Sequence, residues 1–537
     1  MLKRLIRIHT LPIVILSLCS TYSVEAQQQD AAGVGKIESL LYHIDRMYVD
    51  EADKHELVDA AIVRILEELD PHSIYIPKEE LEEVNEPLKG NFEGVGIQFN
   101  IIRDTIYVVD AIAGGPSERL GIRAGDRIVK IDEEVVAGIG FKNSDVMKRL
   151  RGKKGSRVTV AIQRRGENEL LEFNITRDRI PIYSVEASYM AAPGVGYIKV
   201  SRFSATTMKE FREKLDELKQ AGMQDLILDL QGNGGGYLRT AIEMADEFLG
   251  DRKLIVYTEG RTSPREDTYA TKEGRFEKGR LVVLVDEGSA SASEIVSGAV
   301  QDWDRGVIIG RRSFGKGLVQ RPVMLPDGSA VRLTVSRYYT PSGRSIQKPY
   351  DEGVQAYQRE KFERLAKGEL TQLDSNHLDT MKFYTMNKRV VYGGGGIMPD
   401  IFVPIDTTLS SEYFGKLVRK GVLNTFALSY VDERRSQLLA SYPDPEKFAT
   451  DFTISEELLA KLQQQAEKEG IEPDPDGLFR SRALIELRLK ALIARDIWDT
   501  SAYWRMINGD NPVDRSFHKA LEALQDNVHQ RLGMARP

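Results

Sequence analysis

A serine and a lysine in the middle of the chain could together hydrolyse a peptide bond. Ser291 lies in the run Gly288-Ser-Ala-Ser-Ala-Ser-Glu-Ile295, and Lys316 follows in the glycine-bordered turn Phe314-Gly-Lys-Gly317. Serine is a weak nucleophile at its free pKa, and a lysine whose ammonium group is desolvated can act as the base that activates it. The pair therefore predicts nucleophilic catalysis that needs no histidine.

The local pattern places Ser291 where a strand passes into a helix. The apolar run Leu281–Val285 has the length of a strand, and Ser293–Asp302 has helical spacing. At such a position the first-turn N–H groups and the helix dipole favour a developing oxyanion. The alternative is that Ser291 only caps the helix, with Glu294 three residues later completing a capping box. This segment alone leaves both interpretations open.

A glycine-rich turn offers a second part of a catalytic site. Ile227–Leu230 has the pattern of a short buried strand, and it is followed by Gly232-Asn-Gly-Gly-Gly236 and the amphipathic segment Tyr237–Leu249. Backbone N–H groups of this turn, with the N–H of Ala292, could form an oxyanion hole. Glycines between a strand and a helix are more often simple turn residues, so this signal is weak by itself.

These segments belong to a series of short motifs that follow one another along the chain. They are Asp70-Pro-His-Ser-Ile-Tyr75, Gly94-Val-Gly-Ile97, Gly121-Ile-Arg-Ala-Gly-Asp126, Asp229-Leu-Gln-Gly-Asn-Gly-Gly-Gly236, Gly288 to Ile295, Phe314-Gly-Lys-Gly-Leu-Val-Gln320, Tyr339-Thr-Pro-Ser-Gly-Arg344 and Gly396-Ile-Met-Pro-Asp400. Over roughly residues 35 to 405 the chain resembles the tail-specific, or C-terminal processing, peptidases, which are S41-type serine proteases with a PDZ domain and a Ser/Lys catalytic pair.

The resemblance assigns roles to individual residues. It implies Ser291 as nucleophile, Lys316 as general base, Gln320 as the residue that orients the lysine, and Gly235 and Ala292 as oxyanion N–H donors, with Gly236 as the alternative to Gly235. The chain departs from the family pattern at Gln231-Gly232, where arginine and asparagine are common. This departure puts the local hydrogen bonding of the turn in question, but not its backbone donors.

Simple geometry tests two of the remaining positions. Asp302 lies in a family-like Gln-Asp-Trp segment, but eleven residues of helix at about 1.5 Å rise place it roughly 16 Å from Ser291, so we interpret it as structural. If the chain from Lys316 to Gln320 were fully extended, four steps of about 3.3 Å would separate their Cα atoms by roughly 13 Å. Their side chains must lean together, or the strand must bend.

Lys316 supports two further interpretations. Most lysines are solvated surface charges, but this one stands in an unusually apolar stretch, and burial lowers the pKa of an amine toward the range of a useful base. The segment Gly310–Lys316 also matches a phosphate-binding G-x-x-x-x-G-K loop. The match fails because Gly317 replaces the Ser/Thr that would hold magnesium, and Leu318–Pro322 has the pattern of a strand rather than a helix.

The N-terminus has the pattern of a secretory signal peptide. Three basic residues precede the apolar run Leu11–Leu18, and Val24-Glu-Ala26 resembles a cleavage site. We therefore predict an exported protein of the periplasm or cell envelope. Cys19 raises a lipoprotein alternative, but Leu18 stands where lipid attachment requires a small residue.

Composition excludes several other classes of function. Loss of residues 1–26 takes the formal charge from −7 to −9, which disfavours nucleic acid as a partner. Cys19 is the only cysteine, so the mature chain has no disulfide, no thiolate nucleophile and no cysteine metal site. The seven histidines show no metal-binding spacing. We predict no metal and no cofactor.

The segment from 87 to 180 looks like a PDZ domain. Its pattern combines Gly94–Ile97, the strands Thr105–Val109 and Arg157–Gln163, and the helix Ser144–Leu150. In that fold the loop formed by Val95, Gly96 and Ile97 presents N–H groups to the terminal carboxylate of a peptide, which adds as a strand. The alternative is that these glycines serve an ordinary tight turn.

These patterns predict a multidomain α+β protein. Its expected parts are a signal peptide (1–26), an N-terminal helical region (27–86), the PDZ domain (87–180), an α/β protease core that the resemblance implies to be ClpP/crotonase-like (181–405, with a polar and mainly helical insertion at 351–391) and an all-helical C-terminal domain (406–537). For the last, the sequence leaves dimerisation, adaptor docking and substrate access open.

The predicted function is that of an exported serine endopeptidase. It would bind unstructured C-terminal tails of proteins or peptides through the PDZ domain and cleave near them, for C-terminal processing or degradation of envelope proteins. An adaptor protein and a second copy of the chain are the other partners considered. The competing interpretation is a secreted PDZ scaffold on an inactive protease fold. Retention of Ser291, Lys316 and Gln320 argues against it.

Overall fold

A computed structural model describes residues 33–534, apart from 103, 113, 272, 373–380, 510, 527 and the side chain of 361. The predicted signal peptide therefore lies outside the described residues. The chain divides into two compact units, Met1–Tyr75 and Ile76–Pro537. Among the described residues, no helix combines the length and the apolar character needed to cross a membrane.

The first unit is mainly helical. Helix α1 covers 33–47 and helix α2 covers Lys54–Glu67, and the short strand β1 (Ile74–Ile76) lies at the unit boundary. The side chain of Asp53 caps α2 by accepting a hydrogen bond from the amide of His55 at 2.7 Å. Ile37 and Leu40 lie in α1, and their side chains are 47% and 59% exposed.

The second unit begins with a compact β domain. Five strands form its main sheet in the order β3-β4-β5-β7-β8, with β6 paired to β5 and a separate pair formed by β2 and β9. Its buried core is made of branched aliphatic side chains, such as Ile106, Val108 and Val160. Its elements are α3 (Leu81–Lys89), β2 (Asn91–Gly94), β3 (Ile97–Ile102), β4 (Thr105–Ala111), α4 (Pro116–Arg119), β5 (Arg127–Ile131), β6 (Glu134–Val135), α5 (Asn143–Leu150), β7 (Arg157–Gln163), β8 (Leu171–Thr176) and β9 (Asp178–Pro181).

An α/β core follows, built on a six-stranded sheet of order β10-β11-β12-β15-β16-β21. The strands β11 to β21 of this sheet run parallel, and only the β10–β11 pair is antiparallel. The central strands are buried along their whole length, as expected for a parallel sheet covered on both faces. The elements are β10 (Val185–Ala192), β11 (Val195–Val200), α6 (Thr207–Gln220), β12 (Asp225–Asp229), α7 (Leu238–Asp246), β15 (Leu281–Val285), α8 (Ala292–Asp302), β16 (Val307–Gly310) and β21 (Ile401–Phe402).

A second, antiparallel sheet stands beside this core and carries the segment after Lys316. It contains β13 (Leu254–Glu259), β14 (Glu266–Tyr269), β17 (Leu318–Met324) and β18 (Ala330–Tyr339). In the described part of the predicted insertion at 351–391, the first half holds the helix α9 (Val354–Ala366). Two short strands, β19 (Lys382–Tyr384) and β20 (Val390–Tyr392), pair antiparallel near its end.

All regular elements of the described residues after 406 are helices. They are α10 (Glu412–Arg419), α11 (Val422–Ser441), α12 (Pro445–Asp451), α13 (Glu456–Lys468), α14 (Pro475–Ile497), α15 (Thr500–Gly509), α16 (Ser516–Gln525) and α17 (Val528–Arg531). The residues Pro473-Asp-Pro-Asp-Gly477 indicate a break between helices; the structure has this break between α13 and α14, but it ends at Asp474 because α14 begins at Pro475. Proline is tolerated at the first helical position, and Asp474 accepts a hydrogen bond from the amide of Gly477.

The two faces of the parallel sheet are covered by helices from different parts of the chain. Side chains of α6, α7 and α8 cover one face, where they pack on residues such as Leu228 and Val283. The other face carries Ile227 and Leu284 and is covered by Phe517, which lies in α16, and its neighbours. The last helices are thus a layer of the α/β core itself.

Candidate active site

Ser291 ends the turn between β15 and α8 in an unusual backbone conformation. Its φ of 54° and ψ of −109° lie outside the regions that residues with a side chain normally occupy. The amide of the preceding residue, Ala290, donates to the carbonyl oxygen of Asn233 at 2.9 Å, which holds this turn against the glycine turn. Such strain persists only where the surroundings impose it, and it is common at active sites.

Glu294 connects the serine turn to the lysine loop through one buried carboxylate. Its Oε2 accepts from the amides of Ser291 at 2.8 Å and Lys316 at 2.9 Å. Its Oε1 accepts from the hydroxyl of Ser313 at 2.5 Å and the amide of Gly315 at 2.7 Å. Burial raises the pKa of this carboxyl to about 7, against the lowering effect of these four donors. The acid of the predicted capping box therefore also fixes the backbone of the candidate base.

Lys316 and Gln320 are in direct contact. The ammonium Nζ of Lys316 donates to Oε1 of Gln320 at 3.1 Å. The pairing of β17 with β18 is irregular between Val319 and Gln320, where β18 carries one extra residue, Val335. The two side chains meet, as the sequence requires. The phosphate-loop interpretation is excluded because a strand, not a helix, follows the lysine.

Tyr338 makes a second link between the two candidate catalytic segments. Its buried hydroxyl lies 2.7 Å from the carbonyl oxygen of Lys316 and 3.1 Å from that of Ser291, and can donate to either. Burial, together with the nearby charge of Glu294, raises the pKa of this phenol well above its ordinary value. The tyrosine therefore stays a neutral donor.

The glycine turn packs directly against Ser291. A Cβ on Gly235, whose φ is 102°, would lie 2.8 Å from the Cβ of Ser291 and 3.0 Å from the amide nitrogen of Ala292. The amide of Gly235 donates to Oδ1 of Asn233 at 2.9 Å, so it would reach an oxyanion only if that bond were shared or released. A Cβ on Gly236 would lie 2.1 Å from the carbonyl oxygen of Phe203. The predicted oxyanion residues are thus brought together around the serine.

Helix α9 of the insertion contacts the lysine loop from behind. The buried guanidinium of Arg364 donates to the carbonyl oxygens of Arg312 at 2.9 Å and Ser313 at 3.3 Å. The ring of Tyr357 meets the ring of Phe314 edge to face, with the centroids 5.9 Å apart. The ammonium group of Lys348 lies 4.2 Å from the centroid of the Phe314 ring. The insertion therefore supports the segment that carries the base.

Asp302 has the structural role that the sequence predicts. Its Oδ1 accepts from the fully buried guanidinium of Arg344 at 2.8 Å, and its Oδ2 accepts from the amide of Ser342 at 2.9 Å. These bonds attach the end of α8 to the loop that follows β18. Within the described residues, no group of three or more histidine, cysteine or acidic side chains is placed to hold a metal ion.

Gln231, at the departure from the family pattern, bonds to the C-terminal part of the chain. Its Nε2 donates to Oδ2 of Asp514 at 3.2 Å, and the same oxygen accepts from Nη1 of Arg311 at 2.8 Å. Its carbonyl oxygen accepts from the ammonium group of Lys199 at 3.1 Å. The local hydrogen bonding that the sequence left in question is therefore complete.

The predicted carboxylate loop of the β domain lies at the start of an edge strand. Val95 is buried, and its carbonyl oxygen accepts from both the amide and the hydroxyl of Ser117, while Gly96 has a φ of 75°. Ile97 begins β3, which ends the strand order of its sheet and pairs with β4 alone among the described strands. A free edge next to this loop is what the addition of a peptide strand requires.

Sequence reasoning missed three residues of the site. Glu294 was recognised only as part of a helix cap, and neither Tyr338 nor Arg364 carried a signal, because isolated tyrosines and arginines are common in strands and helices. The one available hint was an acid in a helix that is otherwise mostly apolar or small, since every residue of α8 is buried.

Models of known families match three parts of the chain. Residues 194–356 match the model of peptidase family S41, residues 94–175 match a PDZ domain, and residues 413–499 match a family of unknown function (DUF8443). The carboxy-terminal processing protease CtpB of Bacillus subtilis (strain 168) is 34% identical over 329 residues, which are 61% of this chain and 68% of that protein. The chain belongs to the carboxy-terminal processing proteases.

Other members of this family are similar over the same region. CtpA of Bacillus subtilis (strain 168) is 34% identical over 62% of this chain and 71% of its own length. The carboxy-terminal-processing protease of Bartonella bacilliformis is 33% identical over 62% of this chain and 77% of its own length. The solved structure of a photosystem II D1 C-terminal processing protease covers 57% of this chain and 88% of its own, at 31% identity and a TM-score of 0.34.

This carboxy-terminal processing protease is therefore a serine peptidase with a PDZ domain on a mixed α and β fold. Its PDZ domain and protease relatives fit a peptide or protein as the substrate.

Proposed function

We propose that this protease is exported and processes or degrades envelope proteins from their free C-terminal tails, with Ser291 as nucleophile, Lys316 as base and Gln320 orienting the lysine. The observation that carries the proposal is the single oxygen of Glu294 that binds the amides of both Ser291 and Lys316. This bridge holds a serine and a lysine from distant segments side by side, and the bond to Gln320 directs the ammonium group.

The chemistry proceeds in two stages. Lys316, in its neutral form, takes the proton of Ser291 as Oγ attacks the scissile carbonyl carbon. The oxyanion that forms accepts from the amides of Ala292 and of Gly235 or Gly236. Lys316 then gives its proton to the leaving amine, which departs with the new N-terminus. In the second stage Lys316 takes a proton from water as the water oxygen attacks the acyl carbon, and it returns this proton to Oγ of Ser291 as the acyl–oxygen bond breaks and the new C-terminal carboxyl group leaves.

Substrate selection is assigned to the PDZ domain. Amides of Val95, Gly96 and Ile97 bind the terminal carboxylate, and the tail adds to the free edge of β3. Capture of one end raises the effective concentration of the rest of the chain at the active site. A bound tail also activates cleavage, so a peptide with a free carboxylate stimulates hydrolysis of a second substrate more strongly than its amidated form.

The remaining assignments follow the sequence. A signal peptide of residues 1–26 directs export. The mature chain consists of an N-terminal helical region (27–86), the PDZ domain (87–180), the protease core (181–405, with the insertion at 351–391) and the C-terminal helical domain (406–537). An adaptor or a second copy of the chain would bind outside the active site. The protease needs no metal and no cofactor.

The test is cleavage of an unfolded protein by residues 27–537, with fragments identified by mass spectrometry. Wild type is compared with Ser291→Ala and Lys316→Ala, and with Lys209→Ala as a control, because that side chain is an 80% exposed lysine far from these segments in sequence. We expect wild type and the control to cut and the two site variants to be inactive although folded. Equal cleavage by Ser291→Ala would contradict the proposal. A protein that binds tails but never cuts would favour the scaffold interpretation.

A further inference from the structure

Two turns frame Ser291, the first over 230–237 and the second over 286–292. Direct hydrogen bonds join them, from the amide of Ala290 to the carbonyl oxygen of Asn233 at 2.9 Å and from the hydroxyl of Ser289 to the carbonyl oxygen of Leu230 at 2.8 Å. The amide of Gly232 donates to Oδ1 of Asp286 at 2.8 Å. The turns are also in van der Waals contact, since a Cβ on Gly288 would lie 3.0 Å from the Cα of Gly232. Any residue that fixes both turns therefore fixes the position of the candidate oxyanion donors relative to the nucleophile.

A buried ion cluster behind these turns has that property. Arg311 is only 3% exposed, and its Nε donates to Oε2 of Glu287 in the second turn at 2.9 Å. Its Nη1 donates to Oδ2 of Asp514 at 2.8 Å, and this oxygen also accepts from Nε2 of Gln231 in the first turn at 3.2 Å. Asp514 is thus the acceptor through which the first turn, the arginine and the second turn are connected.

The charges of the cluster depend on one another. Burial lowers the pKa of Arg311, but the carboxylates of Asp514 and Glu287 outweigh this effect and raise it. Burial likewise raises the pKa of Asp514, but the arginine outweighs this effect and lowers it. Removing one partner of a buried ion pair is costly because the other charge stays buried without compensation. Loss of Asp514 would therefore disturb the arginine as well as Gln231.

Asp514 comes from the end of the chain, beyond the helices that match the family of unknown function. It is held by its own amide, which donates to Oδ1 of Asn511 at 3.1 Å, and by a bridge to Ile405. The same segment reaches the first turn a second time. The ammonium group of Lys199, which donates to the carbonyl oxygen of Gln231, lies 4.3 Å from the ring centroid of Trp504 in α15.

We propose that the C-terminal segment 500–534 is a working part of the active site and that Asp514 is its positioning residue. Asp514 holds Gln231 and Arg311 so that the two turns keep the spacing needed for attack by Ser291. It acts through these residues and not on the substrate. This role rests on the proposed function of Ser291 and Lys316 and assigns part of the catalytic machinery to a region where the sequence shows no chemistry.

The test compares Asp514→Ala and Asp514→Asn in residues 27–537. The matched control is Asp526→Ala, an exposed acid of the same segment. We expect Asp514→Ala to lower kcat at least tenfold with KM within twofold, and to slow the reaction of Ser291 with a fluorophosphonate by a similar factor. Asp514→Asn keeps an acceptor for Gln231 and should lose less. The control should match wild type in both assays.

A double-mutant cycle separates positioning from a merely structural role. If Asp514 acts through Gln231, then Gln231→Ala should also lower kcat, and adding Asp514→Ala should cost less than the two single effects multiplied. The proposal is overturned if folded Asp514→Ala cleaves and reacts with the probe at the wild-type rate, or if the two effects multiply. If Asp514→Ala does not fold, the test relies on Asp514→Asn and Gln231→Ala. Wild-type rates in both of these variants would overturn the proposal.

Failure of the proposed function has a different signature. In that case the wild type itself neither cleaves nor reacts with the fluorophosphonate, or Ser291→Ala remains active.

Discussion

Replacing Glu294 by glutamine tests whether the backbone bridge or the negative charge matters for catalysis. The carboxylate accepts four hydrogen bonds, two on each oxygen. In Glu294→Gln the amide oxygen can keep the two amides of Ser291 and Lys316. The amide nitrogen then faces Ser313 and Gly315. The hydroxyl of Ser313 can turn to accept, but the amide of Gly315 cannot.

The expected loss of stability follows from the number of hydrogen bonds that each substitution removes. One buried donor without a partner costs about 1–3 kcal/mol, so Glu294→Gln should destabilise the protein by that amount. Because the bridge between Ser291 and Lys316 remains, we expect kcat to fall by no more than about tenfold, which corresponds to about 1.4 kcal/mol in the barrier. Glu294→Ala removes the acceptor of three amides and a hydroxyl. Three amides alone would cost about 3–9 kcal/mol, which is comparable to the total stability of a typical domain.

The assay measures kcat and KM on a fluorogenic peptide with a free C-terminus, together with the urea midpoint of each variant. Glu213→Gln serves as control because that glutamate is 59% exposed on α6. Glu294→Ala should lose activity at least a hundredfold. The reasoning is refuted if Glu294→Gln is folded but as inactive as Glu294→Ala, since the negative charge would then be essential. A fully active Glu294→Ala would refute the bridge itself.

Three further predictions concern the same site. Gly235→Ala should abolish cleavage without unfolding the protein, because a Cβ would lie 2.8 Å from that of Ser291 at a φ of 102°, and titration of Ser291 with a fluorophosphonate checks this. Arg364→Met should lower kcat about tenfold, because the loop that carries Lys316 would lose its two hydrogen bonds from the guanidinium; a wild-type kcat would contradict this supporting role. Since the pKa of Glu294 rises from 4.5 to about 7 on folding, its contribution to stability is full below about pH 4.5 and is lost as the pH rises to about 7, by about 3 kcal/mol in all. Urea midpoints at pH 5 and pH 8 should therefore fall with pH more steeply in wild type than in Glu294→Gln.

The elements that carry the site could be predicted from the sequence. The run Leu281–Val285 is a strand with the predicted bounds, and the predicted helix Ser293–Asp302 begins one residue earlier, at Ala292. Both succeed because the side chains of a fully buried parallel strand and of a buried helix are almost all apolar or small, and few loop sequences share that composition. The contact between Lys316 and Gln320 was also foreseen, but the irregular pairing of β17 with β18 beside it could not be.

The parts that could not be predicted depend on contacts distant in sequence. Nothing near Asp514 indicates that its carboxylate meets Gln231, 283 residues away. The predicted helical insertion ends in two short strands, because Lys382–Tyr384 and Val390–Tyr392 become strands only by pairing with each other. The break predicted through Gly477 ends earlier, at Asp474, for a local reason, since Pro475 begins the next helix rather than interrupting it.

The proposed Ser/Lys site has no acid that orients its base as an acid orients a histidine, and this accounts for where the supporting residues act. Glu294 binds the amides of Ser291 and Lys316, and Tyr338 binds the carbonyl oxygens of the same two residues. Both contacts fix backbone atoms and leave the hydroxyl and the amine to the reaction. Arg364 and Asp514 act one step further out, on the loops that carry those backbones. The positions of Ser291 and Lys316 are therefore set through their backbone atoms. The residues that set them come from a core helix, a second sheet, an insertion and the C-terminal segment. It follows that loss of activity without loss of folding should be found at buried polar residues spread over the whole core, and not only at the two reacting side chains.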